Sequence, residues 1–389
     1  MKLWRGYLVA AIVGALTWAL NEFAKTHTML VDILWPYITR TYQTYLSEWS
    51  SGVGFCIWQV LLVVMVVVAV ATLILVIVLK HNPIRWLGWV LAGASVILLL
   101  HTAVYGLNAH AGSIAPDIHM TESEYTLAEL EEATAYYRDK ANELAVKVER
   151  NAAGDVVFED FDQLAAKAYD GFHTMVYDRS FSIFAGAKEP VKKLGWADMF
   201  SSMGITGMTI GITGEAAVNP QIPATSLPFT MCHEMAHRMS IATERDANFA
   251  GFLGARFNSD VQFQYSAYFM AFRYCYTSLV NVGASAAANR VAAGIGSQLR
   301  HDMNSYDQFF RSVKDENATQ FANDTNDALL KFSGDESGIQ SYGEVTDLLV
   351  CWYIQEIILP TQQEEEQKFN PYDPNQVDVT GLPNASRVQ

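Results

Sequence analysis

A His-Glu-x-x-His pattern at residues 233–237 has the residue types and spacing of a metal site. In a helix, His233 and His237 lie one turn apart on one face and can direct two imidazole nitrogens at one ion. Glu234 projects beside that ion, where its carboxylate can take a proton from a zinc-bound water. Such a pattern arises by chance in about one chain in a hundred of this size. A solvated helical face is therefore the alternative interpretation.

Glu244 is the predicted third ligand, and it constrains the backbone. If the helix continued past His237, Glu244 would lie roughly 10 Å further along it and could not reach the same ion. The chain must therefore reverse, and Thr243 with Asp246 resembles a capping box that starts a second helix. Asn248, four residues after Glu244, shares its face and can hydrogen-bond a ligand from a second shell. Asp246 competes with Glu244 for the metal and is otherwise a second-shell or capping residue.

Three protein ligands leave a fourth position for water, so the predicted chemistry is zinc-dependent hydrolysis of a peptide bond. Glu234 would act as general base, and the resulting hydroxide would attack the peptide carbonyl. The developing oxyanion needs a donor, and Tyr342 is preferred, although a structural role for it is an equal alternative. The other candidate donors are Tyr265, Tyr268, Arg273 and His301.

The segment GEAAVN, just upstream of the predicted zinc helix, is a candidate substrate-binding strand. We predict an edge strand that pairs with an extended peptide through Gly214, Glu215, Ala216, Val218 and Asn219. A turn that merely packs beside the site is the alternative, and a structural role is favoured for Glu215.

Three apolar segments near the N-terminus predict a membrane domain. The chain has 389 residues, of which 51% are hydrophobic and 17% charged. Residues 53–79 contain no charge and exceed the roughly 20 residues that cross a bilayer. Residues 86–108 form a second such run, and residues 6–20 a shorter one, which is favoured as an uncleaved span over a cleavable signal.

Basic residues predict the orientation of these spans. Lys2 and Arg5 precede the first, while Lys80 and Arg85 lie between the second and third, so these flanks are predicted to be cytoplasmic. The chain after residue 108 then lies outside the cytoplasm, and the protein is a multi-pass protein of the cell membrane. The DILWPYITRTYQTYL stretch at residues 32–46, within the loop at 21–52, is predicted to lie on the membrane surface or, equally, to pack against the following domain.

The sequence divides into a membrane domain at 1–110, a catalytic domain at 111–360 and a disordered tail at 361–389. Helical periodicity starts after Thr126 and ends near Asn151. Glycine and proline between 186 and 227 predict turns with short strands, and helices return from Leu227 to near Leu359. The tail is polar and contains three prolines.

The predicted partners are a peptide or protein substrate and the lipid bilayer. A net charge of −15 disfavours nucleic acid. The four cysteines stand in apolar surroundings with no metal-type spacing, which favours buried thiols, with one disulfide outside the membrane as the alternative. The oligomeric state is not predicted.

Several ordered blocks resemble a bacterial family of three-span membrane proteins, which is described as a domain of unknown function and grouped with zincin-like metallopeptidases. The blocks are YGLN (105–108), GEAAVN (214–219), LPFTMCHE (227–234), YSAYFMAFRY (265–274) and GIQSYGEVTDLL (338–349), together with HEMAHRMSIATERDANFAGFLG. Glu244, Ala247 and Asn248 are also similar to the ExxAN element of the ImmA/IrrE-type and CAAX-prenyl-endopeptidase-type zinc proteases. In those proteases the glutamate binds the metal, which favours Glu244 over Asp246.

This resemblance implies a mainly α protein with three transmembrane helices, a mostly helical zincin-like metallopeptidase domain and a small β element. The family usually has glycine at the position of Ser240, so a left-handed turn there would be mildly strained. It usually has glutamate at the position of Asp246.

Rival functions follow from the same residues. One is a membrane sensor or scaffold that binds zinc without catalysis, and another is a binding protein with a vestigial site. Intramembrane proteolysis is disfavoured, because the His-Glu-x-x-His pattern lies far downstream of the last span and the spans carry no paired ionisable groups.

Overall fold

The computed structural model describes residues 4–158, 160–333 and 341–361. The chain is mainly helical, with one small sheet. The predicted tail, apart from residue 361, lies outside the described residues.

Three helices are long and apolar enough to cross a membrane: α1 (Arg5–Thr26), α3 (Ile57–Val78) and α4 (Pro83–Val104). Helix α1 packs along α4. The first of these helices covers 5–26, where a span at 6–20 was predicted, and the third covers 83–104, where a span at 86–108 was predicted. Helix α4 stops at Val104, because the Asn108 side chain donates to the Tyr105 carbonyl (2.8 Å) and residues Gly106–His110 form a 3₁₀ turn.

Helix α2 (Thr28–Ser51) occupies the predicted loop between the first two spans. One face packs on the globular part of the chain through small polar side chains, including Thr39, Gln43 and Ser47. The opposite face is exposed. Packing against the following domain, one of the two placements predicted for residues 32–46, is therefore observed for the first of these faces.

The globular part consists of helices around a short sheet. Its helices are α5 (Leu127–Ala145), α6 (Phe161–Lys167), α7 (Asp170–Asp178), α8 (Ala197–Ser202), α9 (Leu227–Arg238), α10 (Glu244–Arg256), α11 (Val261–Asn281), α12 (Ser285–Ala293), α13 (Ser297–Val313), α14 (Glu316–Ser333) and α15 (Ser341–Tyr353). Thr126 and Glu129 form the capping box that starts α5. This helix ends earlier than predicted, because the Arg150 guanidinium binds the Ala145 carbonyl (2.9 Å).

Three strands lie between α7 and α9, where turns and short strands were predicted. They are β1 (Lys192–Lys193), β2 (Gly207–Ile210) and β3 (Glu215–Val218), in the order β1-β3-β2. Strand β3 pairs in parallel with β1 and antiparallel with β2, with Thr209 opposite Ala216. The outer edge of β2 is consequently a free edge of the sheet.

The main core lies where α9 and α10 pack together and against α5, α11 and α15. Its largest buried side chains include Tyr137, Phe249, Phe252 and Phe269. Gly251 of α10 faces α9, and a Cβ there would lie 3.1 Å from the His233 backbone. This close approach fixes α10 directly against the helix that carries the histidines.

Candidate metal centre

Helix α9 presents two histidines from one face. Its twelve residues are all buried, and Pro228 lies in its first turn, where a missing N–H costs nothing. The imidazole rings of His233 and His237 have centroids 4.6 Å apart and planes at 83°. The two histidines are therefore one turn apart, as predicted, and lie on a buried helix.

The chain reverses after His237, as predicted. Ser240 has φ +70°, its N–H donates to the His237 carbonyl (2.9 Å), and the Ile241 N–H donates to the Ala236 carbonyl. The Thr243 hydroxyl then accepts from the Asp246 N–H and caps α10. Glu244 is the first residue of α10 and comes back over α9.

The Glu244 carboxylate meets both imidazoles. Its Oε2 lies 3.4 Å from Nε2 of His233, and its Oε1 lies 3.7 Å from Nε2 of His237. A tetrahedral ion with bonds of about 2.0–2.1 Å holds its donor atoms about 3.3 Å apart. Among the described residues, these three form the one group of histidine, cysteine and acidic side chains with metal-site spacing.

A buried atom without a partner also fits a cation. Oε2 of Glu244 makes no hydrogen bond in this structure although it is buried. Nδ1 of His237 lies 2.9 Å from the Ile241 carbonyl, which can only accept, so neutral His237 carries its proton on Nδ1 and presents the lone pair of Nε2 to Glu244. The set of two imidazoles and a carboxylate suits zinc.

The pKa values of the two glutamates move in opposite directions. Burial raises the pKa of Glu234, and the nearby His233 and His237 offset this only in part. Burial also acts on Glu244, but its attraction to both histidines outweighs it and holds its pKa below the usual range. Burial lowers the pKa of His237, but Glu244 and Glu234 outweigh this and raise it to about 9. Glu244 is thus ionised near neutral pH, as a metal ligand would need to be, while Glu234 can exchange a proton nearer neutrality.

Strand β2 holds Glu234 in place. The Thr209 hydroxyl donates to Oε2 of Glu234 (2.8 Å). A Cβ on Gly207 would lie 2.4 Å from Oε1 of the same carboxylate, so the strand passes this close only because residue 207 is glycine. No sequence signal pointed to these two residues, since the pairing of β2 with α9 is a long-range contact.

Tyr105, at the end of α4, also contacts the centre. Its hydroxyl lies 3.0 Å from Nδ1 of His237. The sequence of the YGLN block (105–108) does not predict this position, because Tyr105 and His237 are far apart along the chain. His101, one turn earlier in α4, lines the same cleft.

Asn248 and Asp246, both predicted to support the metal ligands, line different cavities in the structure. Asn248 lines the cleft, and its Oδ1 accepts from the Tyr274 hydroxyl (3.0 Å). Asp246 accepts from the hydroxyls of Thr243 (2.9 Å) and Ser113 (3.4 Å) and lines a smaller neighbouring cavity. Asp246 therefore bonds to the Thr243 cap of α10 and is not among the three side chains that converge.

The prediction of an edge strand at 214–219 was wrong. Strand β3 is buried and paired on both sides, so the edge strands are β1 and β2. The Glu215 carboxylate accepts from the N–H groups of Ile57 (2.7 Å) and Trp58 (2.9 Å) at the start of α3, and it pairs with Lys192 (2.7 Å). Asn219 bonds to Ser201 of α8, Gly214 packs on α2, and none of the five predicted residues lines the cleft over the two histidines.

Among the predicted oxyanion donors, Arg273 lines the cleft, where it pairs with Asp307 (2.8 Å). The others have partners elsewhere: Tyr265 bonds to Asp302, Tyr268 accepts from Arg256, and His301 pairs with Asp155. Tyr342 belongs to α15, but its side chain lies outside the described residues.

The cleft over the ligands is about 1130 Å³ in volume. Many of its lining side chains are apolar, among them Phe200, Met203, Met208, Phe229, Met270, Phe310 and Phe321. It is large enough for several residues of a peptide and suits apolar side chains.

The fold and the site define a mainly helical chain with three helices apolar enough to cross a membrane and one potential three-ligand metal centre. The model of the family described as "Protein of unknown function (DUF3810)" matches residues 33–350, so the chain belongs to that family. No curated protein and no solved structure matches the chain.

Proposed function

We propose that this protein is a membrane-anchored, zinc-dependent metallopeptidase with a zincin-like domain. The observation that carries the proposal is the convergence of Nε2 of His233, Nε2 of His237 and the Glu244 carboxylate, with distances of 3.4 and 3.7 Å from imidazole to carboxylate. These distances suit one tetrahedral cation, and Glu234 stands beside them in a cleft of peptide size. A solvated helical face does not account for three buried polar side chains that converge on one point, with a buried fourth, Glu234, in the same cleft.

When bound, zinc would supply an electrophile and lower the pKa of a water molecule to near neutrality. Side chains of the protein would transfer the proton of that water. Glu234, whose pKa burial raises, would accept it and later return it to the leaving amine. Thr209 fixes the orientation of that carboxylate through the bond to Oε2.

The free edge of β2 would hold the substrate. An extended peptide paired there as an added strand would pass Gly207 and Thr209, the two residues next to Glu234. Its side chains would meet the apolar lining of the cleft. Tyr105 and Arg273, which also line the cleft, are the described side chains best placed to donate to an oxyanion.

Three spans would anchor the domain in the cell membrane. With Lys2, Arg5, Lys80 and Arg85 on the cytoplasmic side, the domain that follows α4 would lie outside the cytoplasm.

A zinc-binding sensor is the second candidate. The contacts of Tyr105 with His237 and of Thr39 with Ser240 (2.9 Å) favour it, because they connect the ligand helix and its turn to helices of the membrane domain. A sensor would keep its phenotype in Glu234→Gln, and loss of zinc would unfold the domain.

The test uses full-length protein, purified in detergent, loaded with zinc and incubated with a proteome-derived peptide mixture. Mass spectrometry should find peptides cut by wild type and left uncut by Glu234→Gln, although both proteins retain zinc. The chelated wild type should also be inactive. Equal cutting by wild type and Glu234→Gln would overturn the proposal, and zinc binding without any cutting would favour the sensor.

A further inference from the structure

The apolar helices meet the globular domain at one side, which is the side of the metal centre. Ala24, near the end of α1, packs in a small cluster with Val31 and Leu107. The first N–H groups of α3 bond to Glu215, and the end of α4 reaches His237 through Tyr105. A bilayer that contains these three helices therefore has one surface against this side of the domain.

Helix α2 must lie along that same surface. Only His27 separates it from α1, and only residues 52–56 separate it from α3. Since α1 and α3 are consecutive spans, both ends of α2 are held where one span ends and the next begins. The helix is about 36 Å long by its rise, so it lies along the membrane surface over that length.

The exposed side chains of α2 suit a membrane surface. Its exposed large residues are Met29, Leu30, Ile33, Leu34, Tyr37, Ile38, Tyr42, Tyr45 and Trp49. Tyrosine and tryptophan are enriched at the membrane–water interface, where an apolar ring and a polar tip are both satisfied. The opposite face of α2 contacts the turn at residues 239–243, which joins α9 to α10. Arg40 donates to the Met239 carbonyl (3.1 Å), and Thr39 donates to Ser240. The turn between the two ligand helices thus rests on a helix placed in the interface.

The cleft begins at the last turn of a span. His101 and Tyr105 of α4 line it together with Glu234, and the rise of one helical turn is about 5.4 Å. The His-Glu-x-x-His helix lies far downstream of α4 in the sequence, and the fold brings the two together. Helix α9 itself is buried in the globular domain, so the ligands lie next to the membrane and not within a span.

We propose that the substrates are membrane-anchored proteins, cut in the extended segment next to their anchor. This inference rests on the proposed peptidase function and names its substrate class. A segment that leaves the bilayer beside α4 can enter the cleft directly and pair with β2, while its apolar side chains face Met208 and Phe310. A soluble protein would have to bring an unfolded segment down to the membrane surface.

The first test compares new protein N-termini in wild-type cells and in cells with Glu234→Gln, by mass spectrometry of membrane and soluble fractions. We expect termini that depend on Glu234 to fall within about ten residues of a transmembrane helix or lipid anchor, a reach of about 33 Å when extended. Termini that are confined to soluble proteins, far from an anchor, or inside a span would overturn this inference and leave the peptidase proposal standing. A complete absence of Glu234-dependent termini would overturn both.

The second test measures the membrane contact without relying on activity. The four native cysteines are buried, so an introduced surface cysteine can be labelled selectively with an environment-sensitive fluorophore. Ile33→Cys on α2 and Val146→Cys at the end of α5 replace aliphatic side chains that are 62% and 65% exposed. In vesicles of phosphatidylethanolamine and phosphatidylglycerol with a nitroxide-labelled lipid, quenching at position 33 should exceed that at 146 about fivefold. Equal quenching at the two positions would overturn the placement of α2 and the inference built on it.

Discussion

His237 gives the candidate metal centre a pH dependence that can be measured. Without metal, the charges and hydrogen bonds of Glu244 and Glu234 outweigh burial and raise the pKa of His237 to about 9. This raised pKa stabilises the metal-free fold below the unfolded value of about 6.5, and the contribution is lost as pH rises through 9. Because zinc must displace that proton, its affinity should increase with pH over the same interval.

The magnitude follows from the fraction of neutral His237. For a pKa of about 9, this fraction increases about 75-fold between pH 6.5 and 8.5, and so should the association constant for zinc. For an unperturbed pKa of about 6.5, the increase over that interval would be only about twofold. Glu244 contributes little to the slope, since its pKa is lowered and it stays ionised.

A competition titration against a chelating dye, with the protein in detergent at a series of pH values, measures the association constant. Glu234 also has a raised pKa and can release a proton on zinc binding, so Glu234→Gln is the matched control. The slope should persist in Glu234→Gln, though less steep, because Glu244, which acts on the pKa of His237 more strongly than Glu234 does, remains. An increase of only about twofold in that control would refute the assignment of the raised pKa to His237.

Three further substitutions test the residues that support the site. Gly207→Ala places a Cβ 2.4 Å from Oε1 of Glu234, so turnover of any identified peptide should fall by about 10²-fold or more while metal analysis shows zinc retained; unchanged turnover would argue against this packing. Ser240→Gly relieves the left-handed backbone at φ +70° but loses the hydrogen bond from Thr39, so its thermal unfolding should match that of wild type. Ser240→Ala loses the same bond without relieving the backbone, so its free energy of unfolding should be about 1 kcal/mol lower. The reverse order would contradict a strained turn. Glu215→Ala leaves Lys192 buried without its anion and the start of α3 without its cap, so it should cost about 3–5 kcal/mol, and a normal melting temperature would disprove the structural role.

Local sequence patterns predicted the backbone of residues 233–256 well, with two helices joined by a chain reversal. The argument that Glu244 can reach the histidines only after a chain reversal required nothing beyond helix rise, and the structure has that reversal, with Ser240 left-handed and Thr243 as the cap. The apolar runs likewise predicted three helices long enough to cross a membrane. These features depend on neighbours within a few turns of the chain.

Long-range contacts were not predictable in this way. Whether GEAAVN forms an edge or a central strand depends on β1 and β2, which the strand's own residues do not reveal. Tyr105 reaches His237 across 132 positions, and Thr209 reaches Glu234 through the packing of β2 on α9. The end of α4 was misplaced for the same reason, since Tyr105 and Asn108 leave the helix to contact other parts of the chain.

Metal analysis of the purified full-length protein tests the central claim most directly. Elemental analysis by mass spectrometry should find about one zinc per chain in wild type and in Glu234→Gln, and far less in His237→Ala and Glu244→Ala, because a structural or catalytic zinc needs its three protein ligands. Wild-type protein that binds no zinc, or binding that persists when both His237 and Glu244 are replaced, would contradict the account.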